Sequence, residues 1–141
     1  MLKSEIRILG FDDGPFESKD ETVPVIGVVY RGGKYPDGFL RTDIKVDGLD
    51  ATEKLVKLIN SSRHKQQLKV IMLDGITLGG FNIVDIKQLH KETNIPVIVI
   101  NRKHPDLKEV KSALKNFKDF EQRWKMVLDA GKIIEFNLKS G

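Results

Sequence analysis

Two apolar runs each hand an aspartate to a glycine: ILGFDDG at 8–14 and VIMLDG at 70–75. A strand ending in acid-glycine is most often a turn, because both residues suit the backbone of a tight reversal. Two such strands lying side by side would instead bring carboxylates together. Like charges at short range raise one another's pKa, and a cation relieves them. Asp12, Asp13 and Asp74 are therefore candidate metal ligands. VDGLDATE at 46–53 offers a further acid. Asp50 and Glu53 have the spacing of a reciprocal helix cap, which leaves Asp47 as the candidate catalytic partner of Asp12 and Asp74. Asp85, after the glycine-rich turn GITLGG, is a weaker candidate.

The remaining side chains narrow the chemistry. Cysteine is absent, and His64, His90 and His104 lack ligand spacing. Oxygen-only ligands suit Mg²⁺ or Mn²⁺ and not zinc. A cation held by carboxylates supports phosphodiester cleavage by activating water and stabilising the leaving oxygen. No Ser/His/Asp or Cys/His arrangement is present, so nucleophilic hydrolysis is not indicated. GITLGG matches neither GxGxxG nor the Walker pattern.

The charge balance of 24 basic against 20 acidic residues permits a polyanionic partner without demanding one. Its distribution is more informative. Across 106–118, Leu107, Val110, Leu114 and Phe117 recur at core spacing. Lys108, Lys111, Lys115 and Lys118 follow one position round, with Arg102 and Lys103 just before them. Such a stripe is more often a solvated face, but it can also follow a phosphate backbone, which makes nucleic acid a candidate partner.

The elements that must position these residues follow from periodicity. β-rich runs at 5–11, 23–30 and 39–46, joined by short polar links, predict an antiparallel meander. A helix over about 50–62, a buried strand at 68–73, a helix in 81–94 and a strand at 96–100 come next. Two helices at about 106–117 and 119–130 and a last run, IIEFNL at 133–138, close the order. That order predicts an α/β protein with a ribonuclease H-like mixed five-stranded sheet and helices on both faces. A length of 141 residues predicts one domain, 1–141. No apolar run approaches the ~20 residues that span a bilayer, no leader pattern opens the chain, and the lack of cysteine fits a cytoplasmic protein.

GFDDGPF at 10–16, VDGLDAT at 46–52, LDGITLGGFNIVDI at 73–86 and PVIVINRKHPD at 96–106 together resemble an archaeal family of uncharacterised proteins, domain of unknown function ninety-nine. That family is regarded as similar to endonuclease V, with a ribonuclease H-like fold. The resemblance implies a catalytic Asp at the first strand end, matched by Asp12 with Asp13 adjacent, and a second at Asp74-Gly75. The endonuclease V glutamate between them has no identical counterpart, so Asp47 or Asp50 would serve. A late acid of the kind ribonuclease H-like nucleases use would come from Glu121 or Asp129. The implied function is Mg²⁺- or Mn²⁺-dependent endonuclease cleavage of nucleic acid. The alternative is a non-catalytic nucleic-acid-binding protein on a nuclease-derived fold. Loops that hold a flipped base are not recognisable, so inosine specificity does not carry over.

Overall fold

The computed structural model describes residues 5–137. Strands β1 (Arg7–Asp13), β2 (Thr22–Arg31) and β3 (Tyr35–Lys45) form the antiparallel meander. The chain then runs through α1 (Ala51–Asn60), β4 (Leu68–Asp74), a two-stranded ribbon of β5 (Thr77–Leu78) and β6 (Asn82–Ile83), α2 (Ile86–Thr93) and β7 (Val97–Ile100). Helices α3 (Leu107–Leu114) and α4 (Phe120–Asp129) complete it. The main sheet has the order β3-β2-β1-β4-β7, with β1, β4 and β7 parallel. This is the mixed five-stranded α/β sheet predicted from the element order.

Pleating divides the sheet into two unlike faces, because successive strand side chains point to opposite sides. Leu9, Phe11, Val23, Val25, Val29, Ile71 and Leu73 are buried on one face. Leu55 and Ile59 of α1 and Leu89 of α2 close over them in a single core. A second, smaller core joins α3 and α4 to the ribbon through Ile83, Leu114 and Val127, with Phe81 and Phe117 packed edge to face at 5.8 Å. Helix coverage is therefore unequal. On the other sheet face Val28, Val70 and Met72 are only half-buried, and Ile26, Tyr30, Phe39 and Ile98 are exposed. No helix of the described residues is long and apolar enough to cross a membrane.

Several boundaries differ from the sequence reading. The RGGKYPDG connection shrinks to a turn at Gly32 and Gly33, both in left-handed conformation, and Tyr35–Lys45 is strand. The helix expected from 81 starts only at Ile86, because Asn82 and Ile83 pair with the ribbon strand before it. The run from 133 forms no strand over 133–137, and Leu138 lies outside the described residues. Gly131, with φ at +89°, turns the chain after α4, and Ile134 and Phe136 remain exposed. β propensity makes a strand only where a free ladder edge is met.

Candidate active site

The parallel strands β1, β4 and β7 end side by side, and their carboxyl ends carry Asp12–Asp13, Asp74 and Asn101–Arg102. In open α/β sheets this end is where ligands bind. Asp12 pairs with Ile26 on the solvent-facing side of the pleat, and Asp74, in the alternation of Val70 and Met72, shares that side. The Asp12 carboxyl is held above the ordinary carboxylate value. Partial desolvation is the main cause; the Asp13 N–H donating to Oδ1 at 2.9 Å opposes it, and the charges of Asp13 and Asp74 add to it. Arg102 Nη2 lies 3.8 Å from Asp74 Oδ2, an exposed pair that adds little to stability.

Asp13 faces the other way and does something else. Its Oδ2 accepts the Gly79 N–H at 2.8 Å. Asp47 has φ at +54°, accepts the Phe81 N–H through Oδ1 at 2.9 Å, and donates its own N–H to the Gly79 carbonyl at 2.8 Å. Asp50 precedes α1 but makes no side-chain cap; its Oδ1 accepts from the Lys45 N–H and from Asn82 Nδ2. Three acids, one at the end of β1 and two between β3 and α1, thus bind one turn, Gly79–Asn82. Gly80 sits at φ +83°, and a Cβ there would collide with the Asp47 carboxylate. The ribbon turn could not close on these acids with any other residue at 80.

Asp12 and Asp74 share one face of the sheet, whereas the pleat turns Asp13 towards the other, and the charges of Asp13 and Asp74 both still reach the Asp12 carboxyl. Asp47 tethers the Gly79–Asn82 turn, and Asp85 caps α2 by accepting the Gln88 N–H. Asp129 pairs with Lys87 at 3.5 Å. Among the described residues no three His, Cys, Asp or Glu side chains gather as a metal cluster. What remains is two carboxylates, Asp12 and Asp74. Magnesium is commonly held by one or two carboxylates with water and substrate phosphate filling the rest, so this donor set fits it. The amides of Gly79, in GITLGG, and of Phe81, just after it, already serve Asp13 and Asp47 and are not free for a phosphate.

The residue that sequence reasoning missed is Arg123. The residue is 4% exposed, and its guanidinium donates to the carbonyls of Asp47 (2.8 Å), Phe81 (2.8 Å) and Gly48 (3.3 Å). It also pairs with Asp119 at 2.6 Å and lies 4.0 Å over the Phe117 ring. Asp47→Ala should be a stability variant. It strands the Phe81 amide and puts a Cβ residue without a side-chain acceptor in left-handed backbone, for a loss of about 2 kcal/mol in urea unfolding.

The expected lysine stripe is only partly helical. Lys108 and Lys111 lie on α3, Lys115 caps it, and Lys118 falls in the turn before α4. All four are exposed, as are Arg102 and Lys103. Lys111 Nζ rests 5.4 Å over the ring of Trp124, which packs in the second core.

With this geometry the chain can be set beside known proteins. Residues 4–141 match the family model described as endonuclease dU. The chain belongs to the endonuclease dU family. Curated relatives bear out the archaeal resemblance: UPF0215 proteins of Methanosarcina mazei (57% identical over 132 residues) and Methanothermobacter thermautotrophicus (54% over 134) each match 94% of this chain. The family member described here spans 66% of each of those relatives. A solved structure of a protein of unknown function from Archaeoglobus fulgidus is 48% identical with a TM-score of 0.85, covering 91% of this chain and 72% of that one. Endonuclease V of Ciona intestinalis, solved with an inosine-containing 23mer DNA, superposes with a TM-score of 0.53 at 16% identity. Coverage there is 79% of this chain and 55% of that one. At that identity the likeness speaks for the fold, which is the ribonuclease H-like arrangement.

Proposed function

We propose that this endonuclease dU family member carries the core of a divalent-metal-dependent nuclease that cleaves phosphodiester bonds. One observation carries the reading. Among the described residues, Asp12 and Asp74 are the acids of the sheet end whose carboxylates hold no other element of the fold, and they lie on the same face of adjacent parallel strands. Asp12 and Asp74 would hold Mg²⁺ or Mn²⁺, which would supply an activated water and charge stabilisation at the leaving oxygen. Arg102, beside Asp74, and Lys103 on the same loop would meet the phosphate, and Lys108, Lys111, Lys115 and Lys118 would extend the contact along the backbone. The family name and the DNA-bound endonuclease V support nucleic acid as substrate class.

A second reading, nucleic-acid binding without turnover, is favoured by one observation. No third acid joins the pair among the described residues. Both readings meet in a Mn²⁺ titration followed by amide NMR. Broadening centred on residues 12–13 and 74–75, lost in Asp74→Asn, is expected for the metal site. A wild-type spectrum without localised broadening would end the nuclease reading. Retention of DNA or RNA that falls steeply with salt in both proteins would then carry the second.

A further inference from the structure

Strand β3 lies at the edge of the sheet and has a ladder partner, β2, on one side. The Val46 N–H donates to the Glu21 carbonyl at 3.0 Å, so the even-numbered residues of the unbroken stretch 38–46 address β2. Alternation along the strand turns the N–H and C=O of Phe39, Arg41, Asp43 and Lys45 outward. Lys45 shows that direction, since its N–H is taken by the Asp50 carboxylate at 3.1 Å. At the other end Pro36 has no N–H to offer, and the register shifts between Pro36 and Gly38. Proteins blunt bare edges with proline, bulges and covering groups, because an open edge is a template for pairing. Here those devices guard both ends of the edge and leave Phe39, Arg41 and Asp43 exposed between them.

The charges at this open centre fit a copy of themselves. Arg41 and Asp43 share one face of the strand, with Arg41 Nη2 donating to Asp43 Oδ1 at 3.3 Å. When two β3 strands pair antiparallel, residues of like parity must meet, because a slip of one would throw each face onto the opposite one. A two-fold axis through Thr42 sets Arg41 of each copy against Asp43 of the other. Both residues point outward, so each pair exchanges its N–H···O bonds and stands opposite charge against opposite charge. The neighbouring registers lack this match. An axis through Arg41 or through Asp43 sets that charge against its own copy. One through Leu40 sets Asp43 against Asp37, and one through Phe39 runs into the register shift at Pro36.

We infer that the chain pairs with a second copy of itself along the β3 edge, about a two-fold axis through Thr42, joining two five-stranded sheets into one. The contact is self-complementary and short, so the dimer is weak and set by concentration. The opposite edge strand, β7, offers VIVI and no charge to select a register. Asp12 and Asp74 take no part in the pairing.

Sedimentation equilibrium at chain concentrations up to about 1 mM should show reversible dimer formation. Amide hydrogen exchange at Phe39, Arg41 and Asp43 should slow as concentration rises. Arg41→Asp alone, or Asp43→Arg alone, sets like charges face to face in the dimer. Each should raise the dimer Kd at least about tenfold. Both positions are exposed, so the Tm of either variant in dilute solution should stay near that of the wild type. An equimolar mixture of the two variants recovers both opposite-charge pairs and should dimerise as the wild type does. A monomer at every concentration would overturn the inference. So would a dimer with unchanged exchange at those three amides, single reversals that leave its Kd as it was, or a mixture no tighter than its components.

Discussion

Replacing Asp74 by Asn is expected to lower metal-dependent cleavage by about three orders of magnitude while the fold is kept. A divalent ion supplies several kcal/mol of charge stabilisation in such reactions, and each ~1.4 kcal/mol is a factor of ten in rate. Asp74 is half-exposed and makes no hydrogen bond that holds another element, so thermal unfolding should be unchanged. The informative comparison is with its neighbours. Asp12→Asn should behave as Asp74→Asn does. Asp13→Ala and Asp47→Ala should keep most of the rate and lose stability instead, since their side chains accept the Gly79 and Phe81 amides. The assay is single-turnover cleavage of duplexes containing dU, inosine or neither, with Mn²⁺, alongside a melting curve for each variant. Equal rates for wild type and Asp74→Asn would remove the metal pair from the reaction.

The largest loss of stability is expected from Arg123→Met, at about 3–5 kcal/mol, the range measured when one partner of a buried ionic network is removed. The variant keeps much of the side-chain volume but leaves the carbonyls of Asp47, Gly48 and Phe81 without their donor. For a chain of this size that is a Tm decrease of roughly 10 °C or more. Urea unfolding gives the same quantity directly. The hydrogen bond and charge of Arg123 also hold the Asp119 carboxyl below its usual value. A lowered acid pKa contributes stability that is present in full above about pH 4 and is lost as pH falls through the folded-state value. The acid limb of the stability curve should therefore flatten in Arg123→Met. Arg102→Ala, which removes only an exposed partner of Asp74, should change stability by less than about 0.5 kcal/mol.

Much of this arrangement was legible in the sequence, and the omissions share a cause. That β1 and β4 end together in acid-glycine followed from apolar run length and turn chemistry, both local signals. Choosing between Asp12 and Asp13 needed the pleat. Leu9 and Phe11 share a face with Asp13, so the alternation of the run already held the answer. Arg123 carried no such signal. Within an amphipathic helix it reads as one more cation with an i,i+4 acid, Asp119, while its other partners are backbone carbonyls of residues 42 to 76 positions earlier. The run from 133 misled for the opposite reason. Its composition suits a strand, but a ladder needs an edge, and composition does not say whether one is met.

The turn Gly79–Asn82 has a consequence for the order in which the molecule is made. It is held by Asp13 across 66 positions, by Asp47 across 34, and through Phe81 by Arg123 across 42. Ties of that span form only after long loops have closed, which slows folding. On a ribosome adding about 5–20 residues each second, Arg123 is made roughly 2–9 s after Gly79. For those seconds the nascent chain holds both candidate acids and most of its sheet, while the hairpin beside them waits for its last clamp.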